Sequence, residues 1–93
     1  MGKLTFFYMD GCPYCEDAKR ALAELAAENE AYAAVEIDWI EENDPRPAGP
    51  YFYYYVPTLY VGEEKIYEAS PADDYAMIRA SVKQALDAAC AAD

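Results

Sequence analysis

Ninety-three residues, 55% apolar and 27% charged, suffice for one globular domain with a small core. The net charge of −11 argues against nucleic-acid backbones, which are bound by Lys and Arg that release counterions, and against anionic membrane surfaces. With no histidine, serine–histidine triads, cysteine–histidine dyads and histidine metal sites are excluded, and three cysteines are too few for a disulfide-stapled scaffold.

Lys3 is a lone positive charge, the apolar stretch after it is short, and no small-residue cleavage site follows, so no secretory leader is expected. No stretch approaches the roughly 20 apolar residues of a membrane span. The expected location is the cytoplasm, where thiols stay reduced.

Leu4-Thr5-Phe6-Phe7-Tyr8-Met9 is a continuous apolar run that ends at Asp10-Gly11, which predicts a strand covered on both faces. From Pro13 the period changes. Cys15, Ala18, Leu22 and Leu25 recur at helical spacing, with Glu16, Asp17, Lys19, Arg20, Glu24 and Glu28 opposite. Pro13 is tolerated in the first turn, where its missing N–H is no loss, and Asn29 is the expected stop. Residues 32–38, with Val35 and Ile37, predict a second strand, parallel to the first through a right-handed crossover.

Residues 39–55 are the least regular. Asp44-Pro45 can open a short helix that Pro47, Gly49 and Pro50 would interrupt, so one irregular helical turn and a loop are expected. Tyr51-Phe52-Tyr53-Tyr54-Tyr55 reads as core and half-buried surface beside a strand, or as a contact surface for a partner protein, since tyrosine is enriched at interfaces. Thr58-Leu59-Tyr60-Val61, a turn at Gly62-Glu63-Glu64, and Lys65-Ile66-Tyr67-Glu68 predict an antiparallel hairpin. Ser70-Pro71-Ala72-Asp73 has the pattern of a helix start, with Ser70 as cap. Tyr75, Ile78, Val82, Leu86 and Ala89 continue it as one apolar stripe. The order β-α-β-α-β-β-α predicts an α/β domain over residues 1–93, a four-stranded mixed sheet with helices on both faces.

The chemistry centres on Gly11-Cys12-Pro13-Tyr14-Cys15, at a strand-to-helix turn. A thiolate is the nucleophile of disulfide exchange, and a helix N-terminus supplies partial positive charge and free N–H donors that favour it. Cys12 sits there, opposed in part by the neighbouring acids Asp10, Glu16 and Asp17. Cys12 would attack a target disulfide and Cys15, one turn deeper, would resolve the mixed disulfide. The same pair could instead supply two metal ligands, with Cys90 and carboxylates as the others, or could be ordinary packed residues. No metal site is expected. Cys90 reads as small apolar filler on the last helix, against a redox or dimerising role.

Cys12-Pro13-Tyr14-Cys15 resembles the active-site tetrapeptide of dithiol glutaredoxins, and Val56-Pro57-Thr58 resembles the segment that holds a cis-proline beside the cysteines throughout the thioredoxin superfamily. The strand and helix order matches that superfamily over nearly the whole chain. The resemblance implies a thioredoxin-like fold, Cys12 as nucleophile, Cys15 as resolving thiol, Pro57 as the cis-proline, and substrate contacts from Pro13, Tyr14, Val56, Pro57 and Thr58. It departs from glutathione-using glutaredoxins at Tyr67-Glu68-Ala69-Ser70-Pro71, where those carry a glycine pair and then an acidic cluster; Glu68 would oppose an anionic tripeptide. It departs from thioredoxins at Gly11 and Phe6, where those carry a tryptophan and a buried acid.

The sequence thus predicts a monomeric thiol–disulfide oxidoreductase that reduces protein disulfides without a bound cofactor. Its expected electron donor is a flavoprotein disulfide reductase, with glutathione as the alternative co-substrate. A glutathione-dependent glutaredoxin, a metal or iron–sulfur carrier, and a non-catalytic module holding a partner strand at residues 51–57 are the competing readings. Neither nucleic acid nor membrane is an expected partner.

Overall fold

The computed structural model describes residues 2–45, 49 and 51–92. Strand β1, Lys3–Tyr8, is central, and Leu4, Thr5, Phe6 and Phe7 along it are all buried. It pairs in parallel with β2, Glu36–Glu41, and antiparallel with β3, Thr58–Val61. Strand β4, Glu64–Glu68, closes the hairpin on β3, giving the order β2-β1-β3-β4. Helix α1, Pro13–Glu28, links β1 to the one-turn helix α2, Glu30–Ala33, and α3, Tyr75–Ala91, ends the chain.

Side chains alternate across a strand, so β1 feeds two cores. Leu4 and Phe6 join Leu59, Ala18, Ala21 and Leu25 of α1, Tyr32 of α2, and Ile78, Val82, Ala85, Leu86 and Ala89 of α3. Phe7, on the other face, packs with Tyr53 and Tyr60, flanked by Tyr51, Ile40 and Val56. Full burial of each large side chain contributes roughly 1.5–3 kcal/mol, so the larger cluster dominates stability.

The mixed four-stranded sheet flanked by helices is observed, but helices on both faces are not. Among the described residues, all three helices lie on the Leu4–Phe6 face. Aromatic residues from the 51–56 stretch cover the other face. Their backbone is tied down by side chains: the Tyr60 hydroxyl accepts the Phe52 N–H at 2.9 Å and donates to the Phe52 carbonyl at 3.0 Å. Large rings on a short loop thus bury Phe7 where a helix was expected.

The second strand also lies later than expected, at 36–41 instead of 32–38. Asn29 ends α1 with an extended backbone, and its side chain accepts the Ala31 N–H at 2.9 Å, which starts a new turn of helix through Tyr32. Tyr32 is buried and its hydroxyl donates to Asp87 on α3. The short helix therefore precedes β2. Trp39 and Ile40, expected in the irregular stretch, belong to β2. Beyond it the Glu41 carboxylate accepts the Asn43 N–H at 2.6 Å in a turn, and Asp44-Pro45 opens no helix among the described residues. Pro47 and Pro50 lie outside the described residues.

At α3 the expected cap is not the one used: Ser70 and Asp73 bond to each other, but Asp74 caps the helix. The Asp73 carboxylate accepts the Ser70 N–H at 3.0 Å, and the Asp73 N–H donates to the Ser70 carbonyl at 2.9 Å. Asp74 then turns extended, and its own side chain accepts the Met77 N–H at 2.9 Å, so the helix begins at Tyr75. Ser70 and Asp73 close a separate turn.

Candidate active site

Gly11 adopts φ of +79°, a left-handed value that suits glycine, and reverses the chain after β1. Cys12 then caps α1 with extended backbone (φ −86°, ψ 117°) and its sulfur accepts the Cys15 N–H at 3.2 Å. The cap is normally an oxygen; here a sulfur takes that place at the positive end of the helix. Pro13 follows in the first turn, where no N–H is needed. Glu16 and Asp17, expected to oppose the thiolate, are partly neutralised: Lys19 lies 3.7 Å from Glu16, and Arg20 lies 3.7 Å from Asp17.

Cys12 is 7% exposed and Cys15 is completely buried. Burial pushes the Cys15 thiol up to about 12; the hydrogen bond and the charge of Cys12 push the same way, against the Met9 backbone and Lys19. Cys15 is therefore a neutral thiol at ordinary pH, waiting behind Cys12.

Val56, Pro57 and Thr58 arrive beside Cys12 from the other side, as expected. The Val56-Pro57 peptide bond is cis. The Cys12 thiol donates to the Val56 carbonyl at 3.8 Å, a long contact suited to sulfur. Pro57 and Thr58 are fully buried, and the Thr58 hydroxyl donates to the Tyr55 carbonyl at 2.5 Å. The Pro57 carbonyl accepts the Ala69 N–H at 3.0 Å, which joins the loop to the end of β4. Tyr14, expected to face a substrate, uses its hydroxyl internally: it donates to the Pro71 carbonyl at 2.8 Å.

Glu68 behaves differently from expectation. Its carboxylate accepts the N–H groups of Tyr54 at 2.8 Å and Tyr55 at 2.9 Å and pairs with Lys65 at 2.6 Å. Burial pushes its carboxyl up, but Lys65 and these two N–H groups outweigh that and leave it below its ordinary value. The acid is thus a clamp on the loop leading into Val56. Only register could have revealed this: Glu68 lies directly opposite Thr58 across the β3–β4 pair.

Cys90 is half-buried, with its sulfur 3.6 Å from the Ala31 carbonyl of α2, and takes no part in this cluster. Among the described residues no three Cys, Asp or Glu side chains converge as metal ligands would.

The Cys-x-x-Cys thus stands at the start of the first helix, with the cis-proline loop reaching it through Val56, on a β2-β1-β3-β4 sheet. In fold the chain is similar to the crystal structure of the periplasmic thioredoxin SoxS from Paracoccus pantotrophus in its reduced form. The two superpose with a TM-score of 0.56 over 91% of this chain and 99% of that one, at 22% sequence identity. The fold is thioredoxin-like. No protein-family model matches the chain and no curated protein is similar to it. The likeness therefore lies in the architecture, with little of it in the sequence.

Proposed function

We propose that this chain is a small thiol–disulfide oxidoreductase that reduces disulfide bonds in proteins, with Cys12 as nucleophile and Cys15 as resolving thiol. The observation that carries this is the setting of Cys12: its sulfur caps α1 and meets the Val56 carbonyl, with a neutral Cys15 directly behind it.

The Cys12 thiolate attacks one sulfur of the target disulfide. That S–S bond breaks, and the leaving sulfur departs as a thiolate and takes a proton. Cys15 then loses its proton and attacks Cys12, releasing the second target thiolate and forming the Cys12/Cys15 disulfide. Two electrons pass to the target. The high setting of Cys15 eases when it is needed: in the mixed disulfide Cys12 is uncharged, so two of the influences holding the Cys15 proton are gone, while Lys19 remains.

The proposed electron donor is a flavoprotein disulfide reductase, in a reducing compartment such as the cytoplasm, with the chain acting as a monomer. The glutathione-linked alternative is disfavoured by Ala69, Ser70 and Pro71 standing where glutathione-using relatives of the fold carry other residues, and by the net charge of −11 against an anionic tripeptide.

The deciding experiment is the reduction potential of the Cys12/Cys15 pair, equilibrated against glutathione and dithiothreitol, with turnover of a protein disulfide measured alongside. A potential near about −270 mV with turnover supports a protein-disulfide reductase; about −200 to −230 mV with a glutathione adduct by mass moves the chain to the glutathione-linked class. Protein binding that survives Cys12→Ser, with no turnover in the unaltered chain, would make it a binding module instead.

A further inference from the structure

The 51–55 stretch divides its rings between two environments. Tyr53 is buried against Phe7, and Tyr51 packs beside it. Phe52, Tyr54 and Tyr55 are 59%, 77% and 55% exposed. A fold that buries its apolar surface leaves large rings in water at a cost, and three within four residues form a patch.

The backbone that carries these rings is held in place. The Tyr60 hydroxyl bonds both the N–H and the carbonyl of Phe52, and Glu68 accepts the N–H groups of Tyr54 and Tyr55. The Phe52 and Tyr54 rings meet edge to face with centroids 5.1 Å apart. An anchored backbone loses little conformational freedom when a partner covers the rings it carries, which favours binding. The patch also runs straight into Val56, whose carbonyl faces the Cys12 sulfur.

Charge selects the partner. The chain carries −11, and the exposed acid Asp10 stands just before Cys12. Among the described residues, Lys65 is engaged with Glu68, and Lys19 with Glu16 and the face of Tyr8, 4.2 Å from its centroid. Exposed tyrosine faces attract ammonium and guanidinium groups, and a negative surface speeds the approach of cationic partners. Arg20 over Tyr75 at 4.0 Å shows the same pairing within this molecule. A second copy of the chain would bring like charge and is repelled.

We propose that Phe52, Tyr54 and Tyr55 form the docking surface for a disulfide-bearing polypeptide segment that carries basic side chains beside its cysteines. This rests on the oxidoreductase reading and names its substrate class.

Two synthetic peptides test it, each closed by one disulfide and identical except for arginines or glutamates flanking the cysteines. Hydroxyethyl disulfide serves as the small neutral reference. The chain should reduce the arginine peptide with a kcat/KM at least about tenfold above the glutamate peptide, a gap that narrows as salt screens charge. Tyr54→Ala with Tyr55→Ala keeps the backbone N–H groups that Glu68 holds. It should lower kcat/KM for the arginine peptide about tenfold relative to hydroxyethyl disulfide, mostly through KM. Equal rates on the two peptides, or equal losses on peptide and reference, would overturn the proposal. Calorimetry on the Cys12→Ser, Cys15→Ser chain separates the two readings. Arginine-peptide binding there, with no turnover of any disulfide by the unaltered chain, would sink the catalytic reading and leave the surface; turnover without peptide preference would sink the surface alone.

Discussion

The Cys15 backbone N–H donates to the Cys12 sulfur at 3.2 Å, while the Cys15 side chain lies fully buried behind it. One residue thus contributes twice, through its main chain to the attacking sulfur and through its thiol to the second step. The two contributions separate on mutation. Cys15→Ser keeps the N–H and loses the resolving thiol, so Cys12 should still attack but remain joined to its target. Cys12→Ser should lose turnover altogether. Incubation with a disulfide peptide followed by intact-mass measurement checks this: a persistent adduct is expected for Cys15→Ser and none for Cys12→Ser. Full turnover by Cys15→Ser would refute the two-thiol mechanism.

The stability of the reduced chain should fall in alkali for a defined reason. The Cys15 thiol sits at about 12 in the fold against 9.0 for an ordinary thiol, first because burial disfavours its thiolate and then because of Cys12. Between those values the unfolded chain loses the proton and the folded chain keeps it, so raising pH draws the equilibrium toward unfolding. This contribution is complete below about pH 9 and is lost progressively as pH rises toward about 12. Urea unfolding at several pH values from 8 upward, with reductant present, should show a steeper decline for the unaltered chain than for Cys15→Ala. Parallel declines would remove Cys15 as the cause.

Glu68 should matter through the loop it holds. Glu68→Ala leaves the Tyr54 and Tyr55 N–H groups without their acceptor and Lys65 without its partner. Its side chain is 18% accessible, so water can take up part of the loss, and the cost should be about 1 kcal/mol, the low end for an orphaned donor. The larger effect should be on exchange with peptide disulfides, which would dock along the loosened 54–56 segment. Glu68→Gln retains an acceptor oxygen and should recover part of both. Urea midpoints and peptide-reduction rates measure the two effects; an unchanged rate in Glu68→Ala would show that the clamp does not position the loop.

Much of the architecture was readable because local and global signals agreed. The apolar run at residues 4–9, the alanine-rich helical period after Pro13, and the hairpin around Gly62 each had one consistent reading, and all three are observed. The motif cysteines and the Val56-Pro57-Thr58 segment likewise met where the sequence implied. What failed depended on pairing between distant groups. Asn29 reads equally as a stop or as a new cap, and only the packing of Tyr32 against α3 decides for the cap. Ser70 reads as the cap of the last helix, but Asp74 takes that place, since its side chain accepts the Met77 N–H and leaves Ser70–Asp73 as a separate turn. Glu68 looked like a bare charge because strand register, invisible in a linear reading, sets it opposite Thr58.

The sheet face covered by aromatic rings should be the most sensitive to a single atom. Tyr60 packs with its ring 6.0 Å from Phe7 and 5.0 Å from Tyr51, and its hydroxyl holds both polar groups of Phe52. Tyr60→Phe keeps the ring contacts and deletes only the oxygen. Stability should fall by about 1–2 kcal/mol, since a backbone donor and acceptor lose their partner. Phe7→Ala, which empties the centre of this cluster, should cost about 3–5 kcal/mol. Amide hydrogen exchange distinguishes a local from a global effect: in Tyr60→Phe the Phe52 N–H should exchange much faster, while amides of α1 and α3 keep protection in line with the small overall loss. Uniform loss of protection would mean that the aromatic segment is part of the folding core, with no independent motion to tune the loop beside Cys12.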